Sequence, residues 1–324
     1  MMPNELSLPK PLNLIAGKWV PAASGDEMDV RSPLDGEVFT TIAAAQPEDV
    51  DAAVKAAREA FDIGTWGQMT AAERGRLMLK FSLRILEEAE PLAQLESRDN
   101  GKPLKQARAD MVACARYFEF YGGAADKVHG EVIPFMTGYN VQVVREPYGV
   151  IACIIPWNYP SQMFARALAP ALAMGNSTVL KPAEDACLTC LRLAELAGEV
   201  GFPDGAINVV TGRGDVAGRA LSEHPGVDFI AFTGSPEVGQ MIQIAAAKNY
   251  ISCTLELGGK SAQIVFDDAD IDAALPFLVG GIIANAGQTC SAGSRILIQE
   301  SVYEKVVAGL KEQFEGLEAS DISE

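Results

Sequence analysis

The chain has 324 residues and carries 43 acidic against 26 basic side chains, which gives a net charge of −17. Such an acidic surface repels nucleic acid and anionic lipid, so neither is expected as a partner. The length predicts about two domains, and 48% hydrophobic with 21% charged residues is the composition of a globular protein with a large core.

No targeting or membrane signal is found in the sequence. Met1–Leu6 has neither the basic nor the apolar stretch of a signal peptide. The best candidate for a membrane span, residues 163–174, is short and is interrupted by Arg166. We therefore expect a cytoplasmic protein without a membrane partner.

Cys187 and Cys190 form a CxxC pair, one of two segments with the residue types that bind metals. The alternatives are a zinc or redox site and two thiols one turn apart on a helix. Without a secretory signal the six cysteines are expected to be thiols. There is no second pair, and His129 and His224 are the only histidines. The helix interpretation is therefore favoured.

Asp268, Asp270 and Asp272 fall at the first, third and fifth places of a calcium loop. Ala273 stands where that loop needs glycine, and Val279 where it needs glutamate. A solvated helix start is the better interpretation, and no metal is expected.

The first third of the chain is predicted to be mostly helical. Apolar residues at helical spacing mark a helix over residues 47–61. Thr70-Ala-Ala-Glu73 is a capping box that opens a second helix through Ile85, and a third is expected from Pro91 to Gly101. Residues 128–144 have few helix signals and are predicted to form a β-excursion.

From Val150 onward short apolar strands alternate with helices, which predicts an α/β fold with a parallel sheet covered on both faces. The expected strands are residues 150–155, 177–180, 207–210, 228–232, 252–257 and 262–266, and the expected helices are residues 186–200, 215–222 and 237–247.

Two glycine-containing segments are candidates for binding a nucleotide. Residues 212–218 follow a strand and open a helix; they resemble the dinucleotide fingerprint with one extra residue, and a plain tight turn is the alternative. In residues 232–239 a strand ends, Ser235 can cap a helix, and Pro236 suits its first turn. Free amides there would attract a phosphate, although an ordinary capped helix would look the same.

The ends of the first two predicted parallel strands carry polar residues. Residues 154–160 place Trp157 between two prolines and offer the Asn158 amide as a donor to a developing oxyanion. Lys181 and Glu184 end the next strand and could hold ribose hydroxyls. The alternative is a salt bridge at the start of a helix.

Cys290 lies in a small-residue segment bracketed by Gly287 and Gly293, where the backbone allows close approach of a substrate. Upstream, Glu256 stands just before Gly258 and Gly259. A free thiol with a placed carboxylate suggests covalent catalysis followed by activation of water. A buried cysteine beside a turn is the alternative.

Five motifs together resemble the aldehyde dehydrogenase superfamily in order and spacing. They are PWN at 156–158, KPAE at 181–184, FTGS at 232–235, LELGGK at 255–260 and GQTC at 287–290. The resemblance covers essentially the whole chain from Asn13. It implies a Rossmann-like NAD-binding domain at 1–127 and 147–257, an oligomerisation hairpin at 128–146, and the N-terminal part of an α/β catalytic domain at 258–324.

The resemblance implies NAD(P)-dependent oxidation of an aldehyde to a carboxylic acid. Cys290 would be the nucleophile, forming a thiohemiacetal and then a thioester. Asn158 and the Cys290 amide would form the oxyanion hole, and Glu256 would activate the deacylating water. NAD would be preferred over NADP, and the full-length form would be a homodimer or homotetramer. The implied nucleotide contacts are Ile154, Pro156, Trp157, Lys181, Glu184, Gly214, Gly218, Phe232, Gly234, Ser235, Val238 and Leu257.

The sequence departs from the family in two ways. Many relatives carry a lysine associated with proton relay where this chain has Ala167, next to Arg166. The family also continues well beyond Glu324, and Asp321–Glu324 supplies none of the expected remainder. The 324 residues are therefore expected to be a fragment or an incompletely read gene, inactive alone. The strands at 264–266 and 296–298 are expected to pair with missing residues.

The sequence leaves three other functions open. A coenzyme-A-acylating dehydrogenase would deacylate with a thiol, and the retained Glu256 speaks against it. A cysteine hydrolase would use His129 or His224 as its base and would have no redox step. A non-catalytic fragment would keep the nucleotide-binding fold alone.

Overall fold

The computed structural model describes residues 7–318. Met1–Leu6, on which the expected absence of a signal peptide partly rested, and Asp321–Glu324 lie outside the described residues.

The described chain alternates strands with helices after a mixed N-terminal region. The strands are β1 (Asn13–Ile15), β2 (Lys18–Val20), β3 (Glu27–Arg31), β4 (Val38–Ala43), β5 (Glu131–Ile133), β6 (Val141–Val143), β7 (Val150–Ile154), β8 (Ser177–Lys181), β9 (Ile207–Val209), β10 (Phe229–Gly234), β11 (Ser252–Leu257), β12 (Ala262–Val265) and β13 (Arg295–Ile298). The α-helices are α1 (Pro47–Asp62), α2 (Thr65–Gln68), α3 (Ala71–Glu87), α4 (Ala89–Asn100), α5 (Leu104–Ala124), α6 (Pro160–Ala173), α7 (Leu188–Val200), α8 (Arg219–Glu223), α9 (Pro236–Lys248), α10 (Ile271–Ile283) and α11 (Tyr303–Glu315).

A seven-stranded sheet in the order β11-β10-β7-β8-β9-β1-β2 forms the centre of the fold. Its strands β7 to β11 are mutually parallel, whereas β1 runs antiparallel to β9 and β2 antiparallel to β1. The predicted α/β fold with a parallel sheet is confirmed. Every residue of β7 and β8 is buried, as expected for strands covered on both faces.

Alternate residues of β7 point into two separate cores. Ile151 and Cys153 pack with helices α3 to α7 on one face. Val150, Ala152 and Ile154 pack with α1, α8 and α9 on the other. This arrangement places the carboxyl ends of the parallel strands at one edge, where ligands of open α/β sheets bind.

The N-terminal strands were missed by sequence reasoning. The first two have three residues each, which is too short to show a period. Strand β3 does alternate polar and apolar residues, but over five residues only, and β4 alternates less. The helices expected around residues 47–61, 70–85 and 91–101 are present. The third begins earlier than predicted, at Ala89, and ends where expected, at Gly101, whose φ of 79° favours glycine.

Strands β5 and β6 form an antiparallel hairpin, which confirms the predicted β-excursion. Its apolar side chains are largely exposed, with Val132 at 73% and Tyr139 at 67%. Its role in assembly stays a prediction.

A second, smaller α/β unit begins after β11. Strands β12 and β13 pair in parallel across α10 and pack on a small core that includes Leu275 and Val306. The expectation that their partners lie outside the chain was wrong for the edge at which they pair with each other, whereas the other edge of each strand has no strand partner among the described residues. The crossover through α10 makes a complete β–α–β unit, which allows direct parallel pairing.

Within residues 7–318, the helices are too short or too polar for any of them to cross a lipid bilayer.

Candidate active site

The three expected catalytic residues lie at or near the carboxyl edge of the sheet. Asn158 is in the turn between β7 and α6, and Glu256 is near the end of β11, opposite Thr233 of β10. Cys290 follows α10 and a 3₁₀ turn at Ala284–Gly287.

Cys290 is the exposed thiol of the six cysteines, all of which are described. It lines a cleft of about 500 Å³ together with Gly258, Gly259 and Thr289. Burial raises the pKa of Cys153 to about 12, and burial likewise raises the pKa of Cys187 and Cys190. Since the thiolate is the nucleophile, the buried thiols are inert and Cys290 is the accessible candidate.

The chain before Cys290 has an unusual backbone. Asn285, Ala286 and Gly287 have φ values of 53°, 55° and 78°, which is the left-handed region. For a residue with a β-carbon this conformation costs about 1–2 kcal/mol, so it persists only where surrounding contacts hold it. Asn285 supplies such contacts, because its Nδ2 donates to the Asn158 carbonyl at 3.0 Å and to the Gln288 carbonyl at 3.3 Å.

Two side chains of the 156–160 turn hold the cysteine loop. The Asn158 Nδ2 donates to the Gln288 carbonyl at 2.7 Å, and the Tyr159 hydroxyl bonds the Thr289 hydroxyl at 2.8 Å. An asparagine amide has two N–H groups, so one bond fixes its orientation and leaves the other N–H for a ligand. Tyr159 and Asn285 were not singled out from the sequence, because their partners are distant in the chain.

A buried ionic network underlies the same turn. Lys102 Nζ lies 2.8 Å from Glu96 and 2.6 Å from Asp110, with all three side chains fully buried. Burial lowers the pKa of Lys102, but the two carboxylates outweigh it and raise that pKa overall. The second oxygen of Glu96 accepts from the Ser161 amide in the first turn of α6. The network therefore anchors the helix that follows Asn158.

Glu256 belongs to β11, which is an edge strand of the sheet within the described residues. Its side chain is 47% exposed and lies 3.1 Å from the Arg166 guanidinium. Ala167, the residue after Arg166 on α6, is partly buried and packs against the core.

Four of the expected nucleotide contacts line one cavity of about 540 Å³, which α8 and α9 border. They are Ile154, Gly214, Gly218 and Val238. Met241 and Ile244 of α9 also line it and were not expected, because an exposed apolar residue on a helix carries no separate signal. The apolar walls and the glycine floor would accept a flat heterocycle.

Lys181 and Glu184 lie next to Gly214 and Gly218 of this cavity. A β-carbon on Gly214 would come within 4.0 Å of Glu184, and one on Gly218 within 3.9 Å of Lys181. The Glu184 carboxylate pairs with Lys181 at 2.5 Å and accepts from the Gly214 amide at 2.9 Å. Burial raises the pKa of Glu184, but the Lys181 charge and these hydrogen bonds lower it overall. The salt bridge considered as the alternative is therefore present, and Glu184 is held as an anion.

The remaining expected contacts lie around the start of α9 and the turn after β7. Ser235 caps α9 by accepting from the Val238 amide at 3.3 Å. Gly234 leaves no room for a side chain, since a β-carbon there would lie 2.5 Å from the Phe232 ring. Leu257 packs against Gly239 of α9. Pro156 is half-buried, whereas Trp157 is exposed and lines a different cleft together with Glu184.

The CxxC pair and the aspartate-rich segment, both interpreted from the sequence as parts of helices, lie at the starts of helices in the structure. Cys187 and Cys190 are buried free thiols at the start of α7. Asp270 caps α10 by accepting from the Ala273 amide at 3.2 Å.

Residues 19–324 match the sequence model of the aldehyde dehydrogenase family. The chain is 47% identical over 305 residues to aldehyde dehydrogenase family 2 member C4 of Arabidopsis thaliana, covering 92% of this chain and 60% of that protein. A crystal structure of a putative aldehyde dehydrogenase from Burkholderia cenocepacia has 57% identity and a TM-score of 0.92, with 93% of this chain and 64% of that one covered. Betaine aldehyde dehydrogenase of Staphylococcus aureus in complex with NAD⁺ has 40% identity and a TM-score of 0.96, covering 98% of this chain and 64% of that one. The chain thus spans about 60% of the length of such curated relatives.

Proposed function

The chain belongs to the aldehyde dehydrogenase family, and we propose that the polypeptide carrying it oxidises an aldehyde to a carboxylic acid with NAD as hydride acceptor. One observation carries the proposal: the accessible thiol, Cys290, lies on a loop that the Asn158 amide holds. Location in the cytoplasm stays a prediction from the sequence.

The chemistry begins with the Cys290 sulfur, which adds to the aldehyde carbon in the 500 Å³ cleft. The free N–H of Asn158 and the Cys290 backbone amide donate to the oxygen that becomes negative. Because Asn158 is already oriented by Gln288, this donor needs no reorganisation. NAD, held by the residues that line the cavity bordered by α8 and α9, would supply the hydride acceptor, and oxidation of the thiohemiacetal would leave a thioester on Cys290. Glu256 then accepts a proton from water, which attacks the thioester and releases the acid.

The cavity bordered by α8 and α9 fits the adenosine half of a dinucleotide. Its apolar walls suit an adenine ring, and the Glu184 carboxylate beside Gly214 suits ribose hydroxyls. The capped start of α9 offers amides to a phosphate. Ile154, Gly214, Gly218 and Val238 would form this site, with Lys181, Ser235 and Leu257 around it.

The observations on His224 and Glu256 bear on two of the alternatives. As a hydrolase base, His224 would need a free ring, yet its Nδ1 accepts from the Gly226 amide and its Nε2 lies 3.3 Å from Asp51. The glutamate at position 256, just before Gly258 and Gly259, speaks against deacylation by coenzyme A.

Replacing Asn158 by alanine is expected to lower kcat by about 10²–10³-fold, as for other lost oxyanion donors. Nucleotide affinity should be unchanged, because Asn158 does not line the cavity bordered by α8 and α9. Steady-state kinetics together with a direct binding titration test this. A rate near that of the wild type would remove Asn158 from the mechanism.

NAD is expected to be preferred over NADP, because the Glu184 anion repels a 2′-phosphate and accepts from the 2′-hydroxyl. Glu184→Gln should weaken NAD binding about tenfold and reduce the ratio of the affinity for NAD to that for NADP. Titration of the chain with 5′-AMP and 2′,5′-ADP measures both effects. Glu119→Gln, which removes an exposed carboxylate on α5, is the control. Tighter binding of 2′,5′-ADP by the unaltered chain would contradict the assignment.

The β5–β6 hairpin is proposed as an oligomer contact of a homodimer or homotetramer. Val132, Phe135, Met136 and Tyr139 expose apolar surface there, which favours burial against another copy.

A further inference from the structure

Glu256 has little to fix its side chain apart from one ion pair. It lies on an edge strand, and its carboxylate is about half exposed. A glutamate side chain in such surroundings populates several rotamers, and fixing it in one costs conformational entropy. Its neighbours along the strand face, Thr254 and Ser252, are exposed and uncharged.

Arg166 supplies the missing constraint. Among the residues that the structure describes, it is the one cation within 4.0 Å of the Glu256 carboxylate, at 3.1 Å. Arg166 lines a cleft of about 570 Å³ whose other charged residues are Arg74, Arg145 and Glu146. The Arg74 guanidinium does not pair with Glu256 but donates hydrogen bonds to the Met69 and Ala173 carbonyls.

The helix that carries Arg166 also follows directly on Asn158. Helix α6 begins at Pro160, and the turn before it holds the cysteine loop through Asn158 and Tyr159. Its first turn is anchored by the buried Glu96. Helix α6 and the turn before it therefore carry Asn158, which contacts the cysteine loop, and Arg166, which contacts the Glu256 carboxylate.

We propose that Arg166 is a positioning residue for deacylation, which holds the Glu256 carboxylate in the orientation that accepts the proton of the attacking water. This inference rests on the proposed function. In the step itself, the water oxygen bonds to the thioester carbon and its proton passes to Glu256. The carbon–sulfur bond breaks, and Cys290 leaves with the electron pair as thiolate. Arg166 touches none of the reacting atoms.

Acetylation of Cys290 by p-nitrophenyl acetate isolates this step, because it forms the thioester without nucleotide or hydride transfer. A polypeptide that carries these residues and oxidises aldehydes is acetylated briefly, freed from reagent, and followed by intact mass as the acetyl group is lost. Peptide mapping assigns the acetyl group to Cys290. The chain is compared with Arg166→Gln, Arg166→Lys and Glu256→Gln. Arg116→Gln is the control, because it breaks an exposed Arg–Glu pair of similar length on α5, 3.0 Å from Glu119.

Arg166→Gln is expected to slow loss of the acetyl group about tenfold, since small misplacements of a reacting group have effects of that size or more. Acetylation rate and Tm should stay unchanged, Arg166→Lys should recover part of the rate, and Arg116→Gln should behave as the unaltered chain. If Glu256→Gln slows deacylation while Arg166→Gln does not, the inference about Arg166 is overturned and the proposed function stands. If Glu256→Gln leaves deacylation unchanged, the role of Glu256 is wrong and the inference fails with it.

Discussion

Replacing Cys290 by alanine is expected to lower aldehyde-dependent NADH formation by about 10⁴-fold or more, in a polypeptide that carries these residues and oxidises aldehydes. Without the sulfur no thiohemiacetal forms, and the oxyanion donors have no adduct to stabilise. Nucleotide binding should persist, because the cavity bordered by α8 and α9 does not include residue 290. Absorbance at the NADH band, measured with saturating aldehyde, gives the rate.

Cys253→Ala is the matched control for that substitution. Cys253 is the other cysteine that is not fully buried, and it lies on β11 with its side chain packed towards the core that contains α9. It should retain activity. Undiminished NADH formation by Cys290→Ala, or loss of activity confined to Cys253→Ala, would reject Cys290 as the nucleophile.

Glu256→Gln is expected to separate the two halves of the reaction. Glutamine keeps the shape of the side chain but cannot accept a proton, so deacylation should slow by about 10²–10⁴-fold. Hydride transfer precedes that step and should continue for one turnover. Rapid mixing should therefore record a burst of NADH equal to the active sites, followed by a slow steady state.

Asp267→Asn serves as the control for removing a carboxylate, because Asp267 lies in the loop after β12 and bonds Gln299 and Ser301. Loss of the NADH burst in Glu256→Gln would contradict the expected separation of hydride transfer from deacylation. It would mean that Glu256 also activates the thiol, and the division of roles between Cys290 and Glu256 would need revision.

The central sheet and the exposure of Cys290 were predictable because each depends on local sequence. Strand β7 is a continuous apolar run, which is the pattern of a strand buried on both faces. The caps at Thr70 and Ser235 follow from short-range chemistry, and both hydrogen bonds are present. The exposure of Cys290 follows from the small residues around it.

Contacts between distant segments were not predictable from one sequence. The bond from Asn158 to Gln288 joins residues 130 positions apart, and the pair of Arg166 with Glu256 crosses from a helix to an edge strand. The left-handed backbone at Asn285 and Ala286 also has no sequence signal at the alanine. The pairing of β12 with β13 was misjudged because strand partners depend on the path of α10, which hydrophobic patterns do not specify.

The most direct test of the covalent mechanism is to find the acyl group on the protein. Glu256→Gln, incubated with aldehyde and NAD and then quenched in acid, should accumulate a thioester detectable by peptide mass spectrometry. The covalent mechanism predicts an adduct of the acyl mass on the peptide that contains Cys290, and only when both aldehyde and NAD are present. NADH formation without any adduct, or an adduct on a different cysteine, would contradict it.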